Sequence, residues 1–347
     1  MTAPFLTNFW YVAFRAGELT DRPLARTVCG IAMVFFRGAN GAPAALDDAC
    51  PHRQAPLSLG AVHDGVLRCP YHGLKFDAAG TCVDIPTQTK IPVTAHVRAY
   101  PARERYGLIW VWPGRSDDAY STPLPPLPWR EEPGWNTATV QYFAVDAPAE
   151  LMADNLLDLS HVAFIHPAIA FDPERLREDP LISEVDGDVV RNSRVFAGVP
   201  PAPSHRRWHA FPGNVTRTSV SEWRPPGTVS VLVRNEDERV RLDLRYDHMM
   251  TPETPTTHHY FVALARNFAV DDAALSEALD AEALAIHGED LAMVQAQAQN
   301  KRRLGEHREM ALRQDRGLIQ AHRILQRFAA QADAQHATDG EPVRYEA

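Results

Sequence analysis

Short apolar runs broken by glycine and proline fill the first third of the chain. Trp10-Tyr11-Val12-Ala13-Phe14 and Ile31-Ala32-Met33-Val34-Phe35-Phe36 are rich in β-branched and aromatic residues and end at turn formers, which predicts strands. Gly38-Ala39-Asn40-Gly41 predicts a hairpin turn into Ala44-Ala45-Leu46, and Leu108-Ile109-Trp110-Val111-Trp112 predicts a strand closed by Pro113-Gly114. Many short strands so punctuated suit a small antiparallel sandwich or barrel. Alternation returns from about Val189 to Leu264, in Val229–Val233 and Val240–Leu244, as expected of an antiparallel sheet with one face toward a pocket. Between these regions Asp154 to His166 reads as helical. Asn155, Asp158 and His161 recur at three-residue steps on one face, and Leu156, Leu157 and Leu159 are left to pack. A second helix is predicted over Ala278–Gln299, with Leu284, His287, Leu291 and Val294 on the inward face and Glu289 toward solvent. Arg313–Ala330 predicts an amphipathic helix, and the charged residues 171–187 a mobile loop. The pattern is α+β.

At 347 residues the chain exceeds one comfortable core and implies two domains, with boundaries expected at 1–115 and 135–347. The stretch 116–134 between them contains Pro123-Leu124-Pro125-Pro126-Leu127-Pro128 and reads as a semi-rigid linker, pinned at its far end by Trp129 and Trp135. A formal net charge of -9 argues against nucleic acid, which needs a basic surface. Met1 to Phe14 lacks a basic leader, so no export signal is expected. No run approaches the roughly 18 uncharged apolar residues of a membrane span. The expected setting is cytoplasmic.

Four cysteines are too few for a disulfide scaffold, and two have a better use. Cys50-Pro51-His52 and Cys69-Pro70-Tyr71-His72 stand sixteen residues apart, each offering one thiolate and one imidazole. That mixture matches a [2Fe–2S] cluster in which one iron takes two cysteines and the other two histidines. A structural zinc site would more often group its cysteines apart from its histidines. Cys29 and Cys82 lack histidine partners and read as strand residues, His63 as a surface loop residue. His161 and His166 are five apart, so a regular helix would turn them away from each other. They can share a metal only if the helix bulges or ends between them, and Pro167 favours an end. Two histidines and a carboxylate make the facial triad of a non-haem Fe(II) oxygenase; the plain alternative is a buried helix with satisfied polar residues. Asp290, beside the inward stripe of the second helix, is the best carboxylate, since burial there requires a partner. His287 reads as a core or supporting histidine.

Cys50-Pro51-His52-Arg53 with Ala55–Gly60, then Cys69–Leu74, resembles the Rieske domain of the Rieske non-haem iron oxygenases, and Asp154-Asn155-x-x-Asp158-x-x-His161-x₄-His166 is similar to their mononuclear iron motif. The similarity runs over almost the whole chain and is strongest to the vanillate and dicamba O-demethylase branch, through Asn8–Ala13, Tyr106–Trp112 and the stretch from Thr251-Pro252-Glu253-Thr254 through Ala265-Arg266-Asn267-Phe268. Gln54 departs from the pattern, where many relatives carry glycine, and could shift the loop over the cluster. The resemblance implies a Rieske domain followed by a helix-grip-like catalytic domain of antiparallel sheet and helices. It implies Cys50, His52, Cys69 and His72 on the cluster, and His161, His166 and Asp290 on Fe(II). Asn155 would support the site. Asp158 would orient His161 and carry electrons from His72 of the partner subunit, which requires a ring, expected to be a homotrimer. Electrons would come from NADH through a separate flavin- and ferredoxin-type reductase, since no dinucleotide fingerprint is present, and dioxygen would be co-substrate. The implied reaction is O-demethylation of a small methoxylated aromatic acid with release of formaldehyde. N-demethylation and methyl or ring hydroxylation are alternatives; an electron carrier or a zinc-stabilised module fits less well. His248 matches a position that contacts the substrate acid, with Arg234 and Asn235 as weaker candidates. His205-Arg206-Arg207-Trp208-His209 reads as a solvated loop rather than an anion site.

Overall fold

The structure is a computed structural model that describes residues 5–137, 140–169, 172–202, 205–305 and 309–339. Two compact units divide it. One is Thr7–Pro126 with Thr251–Pro255; the other is mainly Leu127–Met250 with the chain from Thr256 onward.

The first unit is built mainly of short antiparallel strands. Tyr11–Arg15, Leu108–Val111 and Ala102–Arg105 form one sheet, and Leu24–Val28, Ile31–Arg37, Pro43–Asp47 and Ala99–Tyr100 a second. A third contains Ala61–His63, Val66–Arg68, Lys75–Phe76 and Cys82–Asp84. Cys82 lies in a strand as expected, but Cys29 does not. It shares with Gly30 a two-residue hairpin turn in which both φ angles are left-handed, 51° and 76°, the conformation that lets the turn follow the twist of its strands. The Cys29 and Gly30 amides then donate to the carbonyls of Pro252 (2.7 Å) and Glu253 (3.0 Å), so the segment Thr251–Pro255 belongs to this unit. Val34, Phe36, Leu46, Leu57, Leu67 and Phe76 pack around Cys50, Cys69 and Cys82 in one buried cluster. His63 is exposed at a strand end.

The second unit is built on a seven-stranded sheet. Its order is Val140–Val145, Thr257–Arg266, Arg241–Thr254, Thr228–Glu236, Val215–Arg224, Val189–Val199, Ile182–Asp186. Helices Ala149–Leu157, Ala273–Leu304 and Arg316–Asp339 bury Leu151, Met152, Leu156, Val294, Ala298 and Ile324 in a core that includes Trp223, Val229, Tyr260 and Val262 from the strands. The stretch expected as a loop at 171–187 is more ordered than its charge suggested. Phe171 lies outside the described residues, but Arg175–Glu178 is a helical turn and Ile182–Asp186 an edge strand paired with Val189–Val199. Backbone pairing across Gly187 outweighs the polar composition there. The proline-rich stretch also carries local order, a helix at Ser116–Ser121 and a 3₁₀ turn at Pro128–Arg130. Trp129 is pinned as expected: its indole N–H donates to Asp247 Oδ2 at 2.7 Å, Ser230 Oγ donates to Oδ1 at 2.8 Å, and burial pushes the Asp247 carboxyl up to about 6. The Arg245 guanidinium lies 4.1 Å from the Trp129 ring centre and 5.8 Å from that of Trp135. Among the described residues no helix is long and apolar enough to cross a membrane.

Candidate iron–sulfur and mononuclear iron sites

The two cysteine–histidine loops follow one main-chain scheme. The Cys50 amide donates to Ala55 O (2.9 Å) and the Gln54 amide to Cys50 O (2.8 Å); the Cys69 amide donates to Leu74 O (2.8 Å) and the Gly73 amide to Cys69 O (3.2 Å). In each loop the fourth residue after the cysteine must turn left-handed. Gly73 does so at φ 76°, and Gln54 adopts the same conformation at φ 56°. The non-glycine residue therefore does not displace the loop; it holds a backbone state that costs an L-residue roughly 1 kcal/mol. Both thiols are buried, whereas His52 and His72 are exposed, with ring centres 4.4 Å apart. Burial, reinforced by the neighbouring Cys69 thiol, pushes the Cys50 thiol up to about 11. A thiol so placed becomes a thiolate most readily on a cation. Paired inner sulfurs and paired outer imidazoles fit a cluster whose two irons differ in ligation.

The predicted helix Asp154–His166 is not continuous. Helix Ala149–Leu157 ends at Asp158, whose φ/ψ of -85°/91° is extended and whose carboxylate accepts from the Ser160 amide at 2.8 Å. That local bond competes with the helix. A one-turn helix, Val162–Ile165, follows, capped by His161 before it and by non-helical His166 after it. This break solves the five-residue spacing, because the two Nε2 atoms come within 3.2 Å. Asp290, inside helix Ala273–Leu304, places Oδ1 at 3.1 Å from His166 Nε2 and 3.4 Å from His161 Nε2. One ligand atom from each of the three lies within 4.8 Å of the others.

Hydrogen bonds fix the orientation of each of these three side chains. Asn155 Nδ2 donates to Asp290 Oδ1 at 2.8 Å. His161 Nδ1 donates to the main-chain oxygen of Asp158 and not to its carboxylate, which corrects the expected contact: the chain turns at Asp158 and presents its carbonyl instead. His166 Nδ1 donates to Glu289 Oε2 at 2.8 Å. Both Nδ1 atoms thus carry protons and both Nε2 lone pairs are left for a metal. The helical wheel predicts Glu289 toward solvent. It is half-exposed, yet reaches back to the histidine; the signal available for it was a second carboxylate beside Asp290, where a metal-binding imidazole needs an acceptor. Leu284, expected inward, is 54% exposed, and Ile286 takes the buried place.

The electrostatics suit a cation. Burial raises the Asp290 carboxyl, but hydrogen bonding and charge from His166, then His161 and Asn155, outweigh it and hold the group below its ordinary range. Burial lowers both histidines; Asp290 and Glu289 reverse this for His166, and His161 remains lowered. Positive charge is favoured where the three donors converge, so the donor set fits a divalent ion with three protein ligands and open positions.

His248 is buried in strand Arg241–Thr254, its Nδ1 2.7 Å from the Tyr260 hydroxyl and its ring stacked on Tyr260 and Tyr246. Arg234 is committed to Asp243 by two bonds (2.6 and 2.9 Å) and Asn235 to His205 at 2.7 Å. Neither offers itself to an acid group. His205 is buried at the start of the helical turn His205–Trp208, contrary to a solvated loop; the side chains of Arg207 and Trp208 lie outside the described residues.

Comparison with known proteins agrees with this geometry. Residues 9–101 match the Rieske [2Fe-2S] domain, and residues 145–331 match the vanillate O-demethylase oxygenase C-terminal domain. A vanillate O-demethylase oxygenase subunit from a Pseudomonas strain is 34% identical over 342 residues, 94% of this chain and 95% of the relative. The oxygenase component of chloroacetanilide N-alkylformylase from Rhizorhabdus wittichii is 35% identical over 305 residues, 84% of this chain and 86% of the relative. A crystal structure of dicamba monooxygenase bound to 3,6-dichlorosalicylic acid matches with a TM-score of 0.90 at 31% identity, covering 96% of this chain and 100% of that one. The chain belongs to the vanillate and dicamba O-demethylase branch of the Rieske non-haem iron oxygenases, as the oxygenase component of a system with a separate reductase, and its cofactors are a Rieske [2Fe–2S] cluster and a mononuclear non-haem iron.

Proposed function

We propose that this oxygenase removes the methyl group of a methoxylated aromatic acid of the vanillate kind and releases it as formaldehyde. In this reading Cys50, His52, Cys69 and His72 hold the cluster, and His161, His166 and Asp290 hold the iron. The observation that carries it is the convergence of those three ligands within 4.8 Å, together with a buried His248–Tyr260 pair in the same unit and the similarity to vanillate and dicamba demethylases.

When bound, the cluster supplies electrons singly and the iron supplies the position at which dioxygen is reduced. The chain supplies orientation and a dry setting. Asn155, Glu289 and the Asp158 carbonyl hold the ligands in one arrangement, and burial of His166 and Asp290 limits water. A Tyr260 hydroxyl donated to His248 Nδ1 leaves the ring proton on Nε2, the form that donates to a carboxylate. The balance is one methoxyl, one dioxygen, two electrons and two protons giving a hemiacetal and water; the hemiacetal then separates into formaldehyde and a phenol. NADH, through a reductase with flavin and ferredoxin-type centres, is the proposed electron source, in the cytoplasm. Asp158 is offered as the link to His72 of the partner subunit in a homotrimer, its carboxylate half-buried near Ser160 and Arg194.

The test is turnover of 4-hydroxy-3-methoxybenzoate by the purified oxygenase with a reductase and NADH. Formaldehyde and 3,4-dihydroxybenzoate in equal amounts support the reading; a product that keeps the methyl carbon contradicts it. Similarity to an N-alkylformylase favours N-dealkylation as the second reading, separated by turnover of an N-alkyl anilide in the same assay.

A further inference from the structure

Helix Ala273–Leu304 carries a second imidazole into the buried interior, His287, one helical turn before Asp290. Its tautomer can be read from its neighbours. Gln141 Nε2 donates to both the main-chain oxygen (2.9 Å) and Oδ1 (2.7 Å) of Asp280, which fixes the amide with Oε1 turned to His287. A carbonyl oxygen only accepts, so the proton across the 2.9 Å contact sits on His287 Nδ1. Burial lowers the ring to about 4, with Asp290 opposing and His166 assisting, so it is neutral near pH 7. A neutral imidazole with its proton on Nδ1 carries a bare lone pair on Nε2. Among the described residues no hydrogen bond reaches that atom. The atom is not one of the fully enclosed polar atoms without a partner, so it keeps a little accessible surface inside the fold, and it marks a place where a ligand's proton would be welcome.

The surroundings say which proton. The His287 ring stands edge-on to a wall of stacked rings, 5.8 Å from Tyr246, 5.5 Å from His248 and 6.1 Å from Tyr260. It therefore lies next to the residue assigned to the substrate acid and one turn from the iron-binding carboxylate. An aromatic acid with its methoxyl meta to the carboxylate and a hydroxyl beside that methoxyl, para to the acid, carries three separate groups, one for each of three partners.

We propose that His287 Nε2 accepts a hydrogen bond from a phenolic hydroxyl adjacent to the methoxyl, so that this oxygenase selects 4-hydroxy-3-methoxy acids over acids that bear the methoxyl alone. The proposal rests on the demethylase reading above and adds a specificity-determining residue to it. His248 reads the acid, His287 reads the hydroxyl, and the methyl is left for the iron. A site that bonds a substrate hydroxyl discriminates strongly against the analogue lacking it, because its buried acceptor is then left unpaired.

The test is calorimetric binding to the purified, iron-loaded oxygenase under argon, where no turnover intervenes. The ligands are 4-hydroxy-3-methoxybenzoate, 3-methoxybenzoate and 3,4-dimethoxybenzoate. Wild type is expected to bind the first at least about tenfold more tightly than the other two. His287→Phe should bring all three within about threefold, chiefly by weakening the hydroxyl-bearing ligand, with cluster spectrum and iron content checked on the same sample. Should that variant lose metal, Gln141→Leu serves, since it releases the Nδ1 proton and should cut the preference. Equal binding of the three ligands by wild type, or a preference that survives both substitutions, overturns the proposal. Preference without formaldehyde on readmitting oxygen and reductant would leave this inference standing and refute the demethylase reading instead.

Discussion

On the cluster loops the sulfurs are buried and the imidazoles exposed; at the iron site His166 and Asp290 are buried and His161 is only partly open. The means of support differ as well. The cluster loops are closed by main-chain hydrogen bonds within five residues of each cysteine. The proposed iron ligands are held by side chains from separate elements, Asn155 on Asp290 and Glu289 on His166. An electron reservoir needs one face open to a donor and an acceptor, and a loop stiffened by its own backbone can project that face. An oxygen-activating metal needs shelter, which only packing between elements provides. The contrast follows from what each centre must exchange with its surroundings.

Cys69→Ala should abolish the visible spectrum of the cluster and reduce turnover below detection. Survival of that spectrum would remove Cys69 from the ligand set. Glu289 tests the other side. Glu289→Ala should weaken iron binding about 10- to 100-fold, read by chelator competition, with Glu289→Gln between it and wild type because the amide oxygen still accepts from His166. An unchanged affinity in both would make the 2.8 Å contact incidental.

A smaller effect is expected at His322, which ties helix Arg316–Asp339 to helix Ala149–Leu157 through Asp154 at 2.8 Å. The hydrogen bond to Asp154, with further help from Asp154, Glu150 and Glu309 charge, raises this histidine above its ordinary 6.5. A raised pKa means the folded chain binds the proton more tightly, so the stabilisation is full below about pH 6.5 and is lost as pH rises through the folded value. The melting-temperature difference between wild type and His322→Gln should therefore be largest near pH 6 and vanish by about pH 9; a constant difference would contradict it. The smallest effect is a gain. Gln54→Gly relieves the left-handed φ of 56° and should stabilise the chain by about 1 kcal/mol, seen as a higher urea midpoint with the cluster spectrum unchanged.

The same contrast explains what could be read from the residues alone. The proposed cluster ligands lie close together in sequence, and their mixed Cys/His spacing carries the chemistry by itself. His161 and His166 were equally visible, but the device that unites them was not: a break at Asp158 depends on whether its carboxylate caps Ser160 or continues a helix, which composition does not decide. Asp290 was legible from helical periodicity, yet the same wheel misplaced Leu284 and Glu289, because a long side chain can reach back across the face that its Cα leaves. Gln54 stood out as a departure, but only the backbone shows that the loop keeps its shape around it. Cys29 read as a strand residue because hairpin turns of this type favour Gly, Asn and Asp, and a buried cysteine is not among their signals.

Two independent iron centres in one chain can be counted, by iron against acid-labile sulfide. Wild type should hold about three irons for every two sulfides, and His161→Ala about two for two, with the Rieske spectrum intact. A His161→Ala protein that lost sulfide together with iron, or that kept the full three irons, would contradict it.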